Sequence, residues 1–326
     1  MNRLSIIIPM WNAERYIERC VNSCYRQGLA EEDFEILIAN DGSTDGCVDI
    51  VKRLQSEHSN ILLFSQENAG AGMARNLGLN HATGRYVMFV DSDDYLNPDT
   101  LKPILGLAED NDLDLCRYDM RVINLDTSKQ ITDSDPVPKR IVLTGDELLG
   151  NVVIPFGSVC SSIYKLVFMN EHNLRFSGQT SSEDVAFNLL ILPHTKRIMY
   201  SGICAYTYEI RTGSRRHSTD LKSHKRYMMN NVRNAALVKE TALKNELISD
   251  STRASLIKRA NSMMAGEMLN QIRFRKLIKR DDIAEMMTLA ETRDIYPIKG
   301  STFSWKSNLL KLVLNNSWLY LHLFEK

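Results

Sequence analysis

A short acidic segment, Asp91-Ser92-Asp93-Asp94, directly follows an apolar run at residues 86–90. Three carboxylates within four residues repel one another, and a divalent cation would relieve that repulsion. Magnesium and manganese accept one or two carboxylates together with phosphate oxygens, which a nucleoside diphosphate would supply. The pattern therefore predicts a metal site for a bound nucleotide, although a simple capped turn has the same composition.

A second acidic residue, Asp41, follows another apolar run at residues 34–39 and opens the segment Asp41-Gly42-Ser43-Thr44-Asp45. An ionised carboxylate only accepts hydrogen bonds, so Asp41 is suited to the ring N–H of a uracil. Ser43 or Asp45 is also a typical N-cap for a following helix. The two interpretations are compatible, because they concern different residues of one turn.

These acidic segments belong to a regular alternation of strands and helices. Apolar runs predict strands at residues 4–8, 34–39, 61–65 and 86–90, and helical spacing of apolar residues predicts helices at 13–26, 43–58 and 72–81. The alternation predicts an α/β fold with a mainly parallel sheet, whose ligands bind beyond the carboxyl ends of the strands. Polar turns follow all four strands at that edge.

The second half of the chain has a different character. Residues 126–139 form a polar loop or hairpin with two prolines, and residues 198–208 have the pattern of a late strand. Residues 220–292 are typical of a separate helical region. The apolar tail at residues 305–326 is too interrupted for a spanning helix of roughly 20 apolar residues. It is expected to pack on the helical core, to form a dimer contact or to lie on a membrane.

Charge and cysteine content limit the class of protein. Forty Lys and Arg balance 40 Asp and Glu in the 326 residues, which disfavours nucleic acid as a partner. Residues 1–120 contain 20 acidic and 10 basic side chains, so the remainder carries 20 acidic and 30 basic ones. A basic second half suits a polyphosphate or an anionic lipid surface, or forms a solvated face. Six scattered cysteines and no signal-peptide pattern predict a cytoplasmic protein.

Five motifs in succession closely resemble family 2 glycosyltransferases of the GT-A fold. They are Ile8-Pro9-Met10-Trp11-Asn12-Ala13-Glu14, Asn40-Asp41-Gly42-Ser43-Thr44-Asp45, Glu67-Asn68-Ala69-Gly70 with Ala74-Arg75-Asn76-Leu77-Gly78, Ala82-Thr83-Gly84-Arg85-Tyr86, and Phe89-Val90-Asp91-Ser92-Asp93-Asp94-Tyr95-Leu96. The resemblance implies a Rossmann-like, mainly parallel sheet flanked by helices. It divides the chain into a GT-A domain at 1–218, with nucleotide-sugar and acceptor halves meeting near residue 100, and a helical region with an apolar tail at 219–326.

The resemblance also implies a role for individual residues. Pro9, Trp11 and Glu14 would line the nucleoside pocket, with Trp11 standing where the family usually has tyrosine. Asn68 and Arg75 would lie near the ribose and phosphate, and Asp41 would bind the uracil ring. Asp91 would contact the ribose or the sugar, and Ser92 beside it is also assigned to the donor. Asp93, with Asp91, would bind the metal. The later segment around Glu183 and Asp184 resembles the element that carries the family's general base. Arg211 and Ser214 resemble its loop over the diphosphate, and His217 is either a further metal ligand or a solvent-exposed histidine.

The implied reaction is metal-dependent, inverting transfer of a sugar from a UDP-sugar to a glycan or lipid-linked acceptor, in cell-surface polysaccharide synthesis. Asp184 would take the acceptor proton, and Mn²⁺ or Mg²⁺ would assist the diphosphate. Nucleotidyl transfer to a sugar phosphate is one alternative, disfavoured because residues 9–14 contain neither glycine nor lysine. A non-catalytic glycan-binding scaffold is another. Peripheral contact with the cytoplasmic membrane face and homo-oligomer formation stay open.

Overall fold

The computed structural model describes residues 2–133, 137–150, 158–177, 183–210 and 221–324. The chain divides into two compact units, Met1–Gly145 with Val153–Arg211, and Asp146–Val152 with Thr212–Lys326. A short stretch from the first half of the chain thus belongs to the second unit. The predicted domain boundary at residue 218 lies outside the described residues and stays a prediction.

Strands and helices alternate along the first unit, and helices make up the second. The elements are β1 (Leu4–Met10), α1 (Ile17–Cys24), β2 (Phe34–Asp41), α2 (Cys47–Glu57), β3 (Ile61–Gln66), α3 (Ala71–His81), β4 (Tyr86–Phe89), β5 (Tyr95–Leu96), α4 (Leu101–Asp110), β6 (Leu115–Asn124), β7 (Lys129–Asp133), β8 (Val142–Leu143), α5 (Gly145–Gly150), β9 (Ser162–Lys165), α6 (Leu166–Glu171), α7 (Glu183–Ile191), β10 (Ile198–Ile210), α8 (Leu221–Lys244), α9 (Asp250–Arg273), α10 (Arg280–Thr292), α11 (Trp305–Leu314) and α12 (Ser317–His322).

One sheet contains the ten strands of the described residues, in the order β3-β2-β1-β4-β9-β6-β10-β5, with β7 beside β6 and β8 beside β10. The first four strands pair in parallel, as predicted. The sheet becomes mixed where β9 enters antiparallel between β4 and β6. Because β1 lies between β2 and β4, the strand order reverses there, and the crevice beyond such a reversal is where open α/β sheets bind ligands.

Burial explains why the first strands are so apolar. Every residue of β1 and β2 is buried, as expected for parallel strands covered on both faces. The predicted α/β fold with a C-terminal helical region is confirmed. Several elements were not predicted, among them α4 and the long strand β6. Strand β6 pairs with β7, so the hairpin begins well before the polar segment at residues 126–139 that was predicted to form a loop or hairpin.

The strand and helix limits differ from the predicted ones next to the predicted site. Pro9 does not end β1, which continues to Met10, because β4 pairs with β1 only as far as Ile7 and the missing N–H of Pro9 lies beyond that ladder. Helices α1 and α2 begin at Ile17 and Cys47, about one turn later than predicted. The residues before them form loops that bond to each other.

The second unit is a helical assembly with a methionine-rich core. Helix α8 packs on α9 and α10, α11 packs on α9, and α12 contacts α10 and α11. The Tyr320 hydroxyl donates to the Met268 carbonyl at 2.8 Å, and the Tyr296 hydroxyl donates to the Leu314 carbonyl at 3.1 Å. The tail is therefore tied to the core at the end of α11 and within α12. Within the described residues, no helix is long and apolar enough to cross a membrane.

A glycine before β4 tests the packing of the parallel sheet. A Cβ at Gly84 would lie 2.5 Å from the Ser5 backbone nitrogen, so we expect Gly84→Ala to lower the free energy of unfolding by about 1–3 kcal/mol. The matched control is Gly106→Ala in α4, where nothing lies within 4 Å and a gain of about 0.5–1 kcal/mol is expected. Urea unfolding measures both. Equal shifts in the two variants would contradict the packing argument.

Candidate active site

The loops after β1 and β2 are held together by reciprocal hydrogen bonds. Asn12, with a φ of 49°, accepts from the Thr44 backbone N–H at 2.8 Å, and its own N–H donates to Ser43 Oγ at 3.1 Å. These bonds join the two loops to each other. Asn12 is a structural residue of the site whose role the sequence did not reveal.

Glu14, predicted to line the nucleoside pocket, continues this contact. Its backbone N–H donates to Asp45 Oδ2 at 2.9 Å, and its carboxylate accepts from the Gly46 N–H at 3.3 Å, at the start of α2. Burial alone would raise the pKa of Asp45, but hydrogen bonds from Cys47 and Glu14 outweigh burial and lower it. Asp45 is therefore ionised, and its Oδ1 accepts from the Cys47 N–H at 3.2 Å at the start of α2. The N-cap residue of α2 is Gly46, so the prediction that Ser43 or Asp45 is the N-cap was wrong, because the helix begins later than predicted.

Asp41 is buried at the end of β2 and organises the next loop. Its Oδ1 accepts from the Gln66 amide and the Ala69 N–H, both at 2.8 Å, and its Oδ2 accepts from the Gly70 N–H at 2.9 Å. The Asn68 amide in turn donates to the Asp41 carbonyl at 3.0 Å. A carboxylate has about four acceptor positions, so one remains on Oδ2. Asp41 thus supports the loop that contains Asn68.

Trp11 and Pro9 lie at the end of β1 in different environments. Pro9 is buried within the strand, whereas the Trp11 side chain is 46% exposed directly after it. An exposed indole face at the switch point of the sheet is suited to stacking on a planar ring.

The acidic segment after β4 does not present three carboxylates to solvent. Asp94 is buried, where its carboxylate accepts from the Tyr206 hydroxyl at 2.7 Å and from the Glu209 N–H at 3.2 Å. Burial, with the nearby charges of Asp91 and Asp93, raises the pKa of Asp94 well above its usual range. Asp94 is therefore a structural residue of the turn, and Asp91, Ser92 and Asp93 are the partly exposed ones.

Two residues that sequence reasoning missed hold this turn in place. Tyr206, besides donating to Asp94, accepts from the Asp91 backbone N–H at 3.1 Å. Arg19 of α1 donates to the Asp93 carbonyl at 3.0 Å and pairs with the buried Glu209 at 2.8 Å. The contacts of Tyr206 and Arg19 join segments about 70 or more residues apart in the sequence, so no local sequence pattern predicts them.

Arg75 connects the two acidic motifs of the predicted site. Its buried guanidinium donates to Asp91 Oδ1 at 2.7 Å and to Glu183 Oε2 at 3.0 Å. Burial would lower the pKa of Arg75, but the surrounding negative charges, led by Asp91, outweigh it and raise the pKa. The guanidinium also lies 5.3 Å from the Phe176 ring centroid. The predicted contact of Arg75 with ribose and phosphate stays a prediction, and its described partners are carboxylates.

Glu183 and Asp184 occupy the first turn of α7, where the helix dipole favours negative charge. Gly72 permits the close approach of α3, because a Cβ there would lie 2.8 Å from Glu183 Oε2. The Asn188 amide donates to the Asp184 carbonyl at 2.7 Å and helps to fix this turn. Arg211, Ser214 and His217 lie outside the described residues.

The fit to a divalent metal depends on Asp91 and Asp93. Among the described residues, no group of three or more His, Cys, Asp or Glu side chains is arranged to hold a metal ion. Two carboxylates are, however, what Mg²⁺ or Mn²⁺ takes from a protein when substrate phosphates fill other positions. The chemistry of these two partly exposed carboxylates fits a site completed by a nucleoside diphosphate.

The family model described as glycosyl transferase family 2 matches residues 5–168, half of the chain. The chain belongs to glycosyltransferase family 2. The membership predicted from the motifs is therefore confirmed, and the family region includes the acidic turn and Arg75. The element with Glu183 and Asp184 lies after the matched region.

Two sequence relatives illustrate the range of the family. The uncharacterized glycosyltransferase YibD of Escherichia coli is 31% identical over 65% of this chain and 63% of its own length. The poly(ribitol-phosphate) β-N-acetylglucosaminyltransferase TarS of Staphylococcus aureus is 28% identical over 64% of this chain and 35% of its own length. The chain thus spans less than two thirds of either relative.

Solved structures support the fold over nearly the whole chain. The crystal structure of S. aureus TarS 1-349 with UDP matches with a TM-score of 0.69 at 20% identity, covering 99% of this chain and 90% of that one. A mannosyltransferase from Pyrobaculum calidifontis, in complex with GDP-Man and Mn²⁺, matches with a TM-score of 0.57 at 14% identity, covering 99% and 85%. The GT-A fold is therefore confirmed.

A double-mutant cycle tests the Arg75 bridge. Arg75→Met leaves Asp91 and Glu183 without their shared cation and should lower the free energy of unfolding by about 3–5 kcal/mol. With Glu183→Gln as the second substitution, we expect a coupling energy of about 1–3 kcal/mol. The exposed pair Arg53 and Glu57 is the matched control, and its coupling should be much smaller because solvent screens it. Additive effects at Arg75 and Glu183 would refute the bridge.

Proposed function

We propose that this chain transfers a sugar from a UDP-sugar to a hydroxyl group of a growing glycan or lipid-linked acceptor, with inversion at the anomeric carbon. The observation that carries the proposal is the Arg75 guanidinium, which binds Asp91 at 2.7 Å and Glu183 at 3.0 Å. It joins the predicted donor motif to the predicted general-base motif. Family membership and the UDP bound to TarS support the same class of reaction.

The uracil would bind between the loops after β1, β2 and β3. Trp11 would stack on the ring, and the remaining acceptor position of Asp41 would take the ring N–H. Because Asp41 also holds the loop with Asn68, correct folding of that loop and recognition of the base depend on the same carboxylate.

Asp184 would act as the general base. It accepts the proton of the acceptor hydroxyl while that oxygen bonds to the anomeric carbon and the bond to the diphosphate breaks. The leaving group departs as UDP from the opposite face, so one displacement inverts the configuration. Glu183, paired with Arg75, would position the first turn of α7 so that Asp184 faces the acceptor.

A divalent cation would be held by Asp93 and Asp91 together with the diphosphate. When bound, it would neutralise the charge that develops on the departing diphosphate. The Mn²⁺ in the P. calidifontis mannosyltransferase supports a metal in this fold. We also propose that the acceptor is reached at a membrane surface, in cell-surface polysaccharide synthesis. The name of TarS, a poly(ribitol-phosphate) β-N-acetylglucosaminyltransferase, supports a polymeric acceptor.

Removal of the proposed base should separate chemistry from donor binding. Asp184→Asn keeps the side-chain shape but loses basicity, so transfer should fall roughly 10²–10⁴-fold while UDP affinity changes little. Asp49→Asn is the matched control, since Asp49 is also an acid in the first turn of a helix but is exposed on α2. UDP release with acceptor and UDP titration calorimetry measure the two effects. Transfer within a few-fold of the unmodified protein would exclude Asp184 as the base.

Metal removal tests Asp93. Activity should vanish with EDTA and return with Mn²⁺ or Mg²⁺, and Asp93→Asn should abolish the gain in UDP affinity that Mn²⁺ gives the unmodified protein. Asp110→Asn, an exposed acid at the end of α4, is the control and should behave as the unmodified protein. Full turnover in chelator would show that the reaction needs no metal.

A further inference from the structure

Helix α11 has an apolar face that nothing among the described residues covers. Trp305, Leu309 and Leu312 are 70%, 72% and 86% exposed. They are separated by four and three residues, so they share one face of the helix. Phe303, just before the helix, is also exposed. Contiguous exposed apolar side chains of this size mark an interaction surface.

The opposite face of the tail already satisfies the helical core. Ser307 and Leu314 of α11 are buried, and so are Tyr320 and Phe324 further along. The helical core is therefore closed by the buried side of the tail, and the exposed side of α11 is not needed to complete it. Packing on the helical core, one of the three alternatives predicted for the tail, therefore accounts for one face of the segment and leaves the other face uncovered.

The charge around the exposed face is positive. Residues 295–324 contain Lys299, Lys306 and Lys311 but no Asp or Glu, and residues 221–324 contain 18 Lys and Arg against nine Asp and Glu. Lys299 pairs with Asp294 at 3.6 Å, so Lys306 and Lys311 supply most of the positive charge beside this face. The Lys306 ammonium lies 5.8 Å from the Trp305 ring, and the Lys258 ammonium lies 4.9 Å from the Phe303 ring. Cationic groups thus border the aromatic side chains directly.

We propose that this face of α11 binds an anionic lipid surface, with Trp305, Leu309 and Leu312 inserted among the headgroups and upper acyl chains. Apolar side chains flanked by lysines are suited to this interface, because the ammonium groups reach the phosphates while the rings and methyl groups leave water. A second copy of the chain is a poorer occupant, since it would bring like-charged lysines together without acidic partners from this segment. Lipid binding by α11 does not depend on the proposed function. Only the inference that a sugar acceptor is reached at that surface rests on the proposed function.

Vesicle binding of the full-length protein tests the proposal. The protein should sediment with vesicles of phosphatidylcholine and phosphatidylglycerol, less with phosphatidylcholine alone, and less at high salt. Leu309→Gln with Leu312→Gln should reduce the partition coefficient at least tenfold. The matched control is Leu62→Gln with Leu243→Gln, which changes two exposed leucines outside α11 and should bind as the unmodified protein does.

Tryptophan fluorescence locates the inserted residue. Brominated lipids should quench the emission of the unmodified protein, and Trp305→Phe should remove most of that quenching while sedimentation persists. Quenching that is unchanged by Trp305→Phe would place the lipid contact elsewhere.

Three further outcomes would contradict lipid binding by this face of α11. The first is no vesicle binding by the unmodified protein, and the second is equal binding by the variant with Leu309→Gln and Leu312→Gln. The third is a concentration-dependent dimer that forms without lipid and that the same variant abolishes. UDP release from the UDP-sugar donor in the presence of a soluble acceptor, measured on the same proteins, should be unchanged in the variant with Leu309→Gln and Leu312→Gln. Lipid binding without any UDP release would contradict the proposed function but not the lipid-binding face of α11. UDP release without lipid binding would contradict the lipid-binding face but not the proposed function.

Discussion

The buried guanidinium of Arg75 imposes the constraint on which the site depends. A cation removed from water must be paired, and both of its partners are carboxylates of predicted function, Asp91 after β4 and Glu183 at the start of α7. The acidic turn of one half and the first turn of α7 from the other are therefore held against the same group. Glycine at position 72 follows from this approach, because a larger residue would collide with Glu183.

The loops after β1, β2 and β3, at the carboxyl edge of the parallel strands, are stabilised by hydrogen bonds to each other. Asn12 and Glu14 bond to the turn after β2, and Asp41 bonds to the loop after β3. Residues that would otherwise form the first turns of α1 and α2 make these contacts, which is why both helices begin late. A ligand that binds at this edge, as proposed, would meet loops that are already ordered, so less binding energy would be lost in ordering them.

The helical unit combines two requirements in one short segment. The inner side of α11 and α12 closes a methionine-rich core through Leu314 and Tyr320, while the outer side of α11 remains apolar and bordered by lysine. The proposals above would give the acidic front half and the basic second half separate uses. The first would provide carboxylates for a metal and a nucleotide, and the second would provide cations for an anionic surface.

The sequence by itself determined the strand and helix alternation, the parallel first half and the family, and it supplied the site residues as predictions. Those features are local, since apolar periodicity reports burial and polar turns mark strand ends. Only the tertiary structure decided that Asp94 is buried against Tyr206, that Arg19 and Arg75 bind distant carboxylates, and which face of α11 is covered. The physical reason is that pairing and burial of these side chains depend on segments up to about 190 residues apart, which no local pattern encodes.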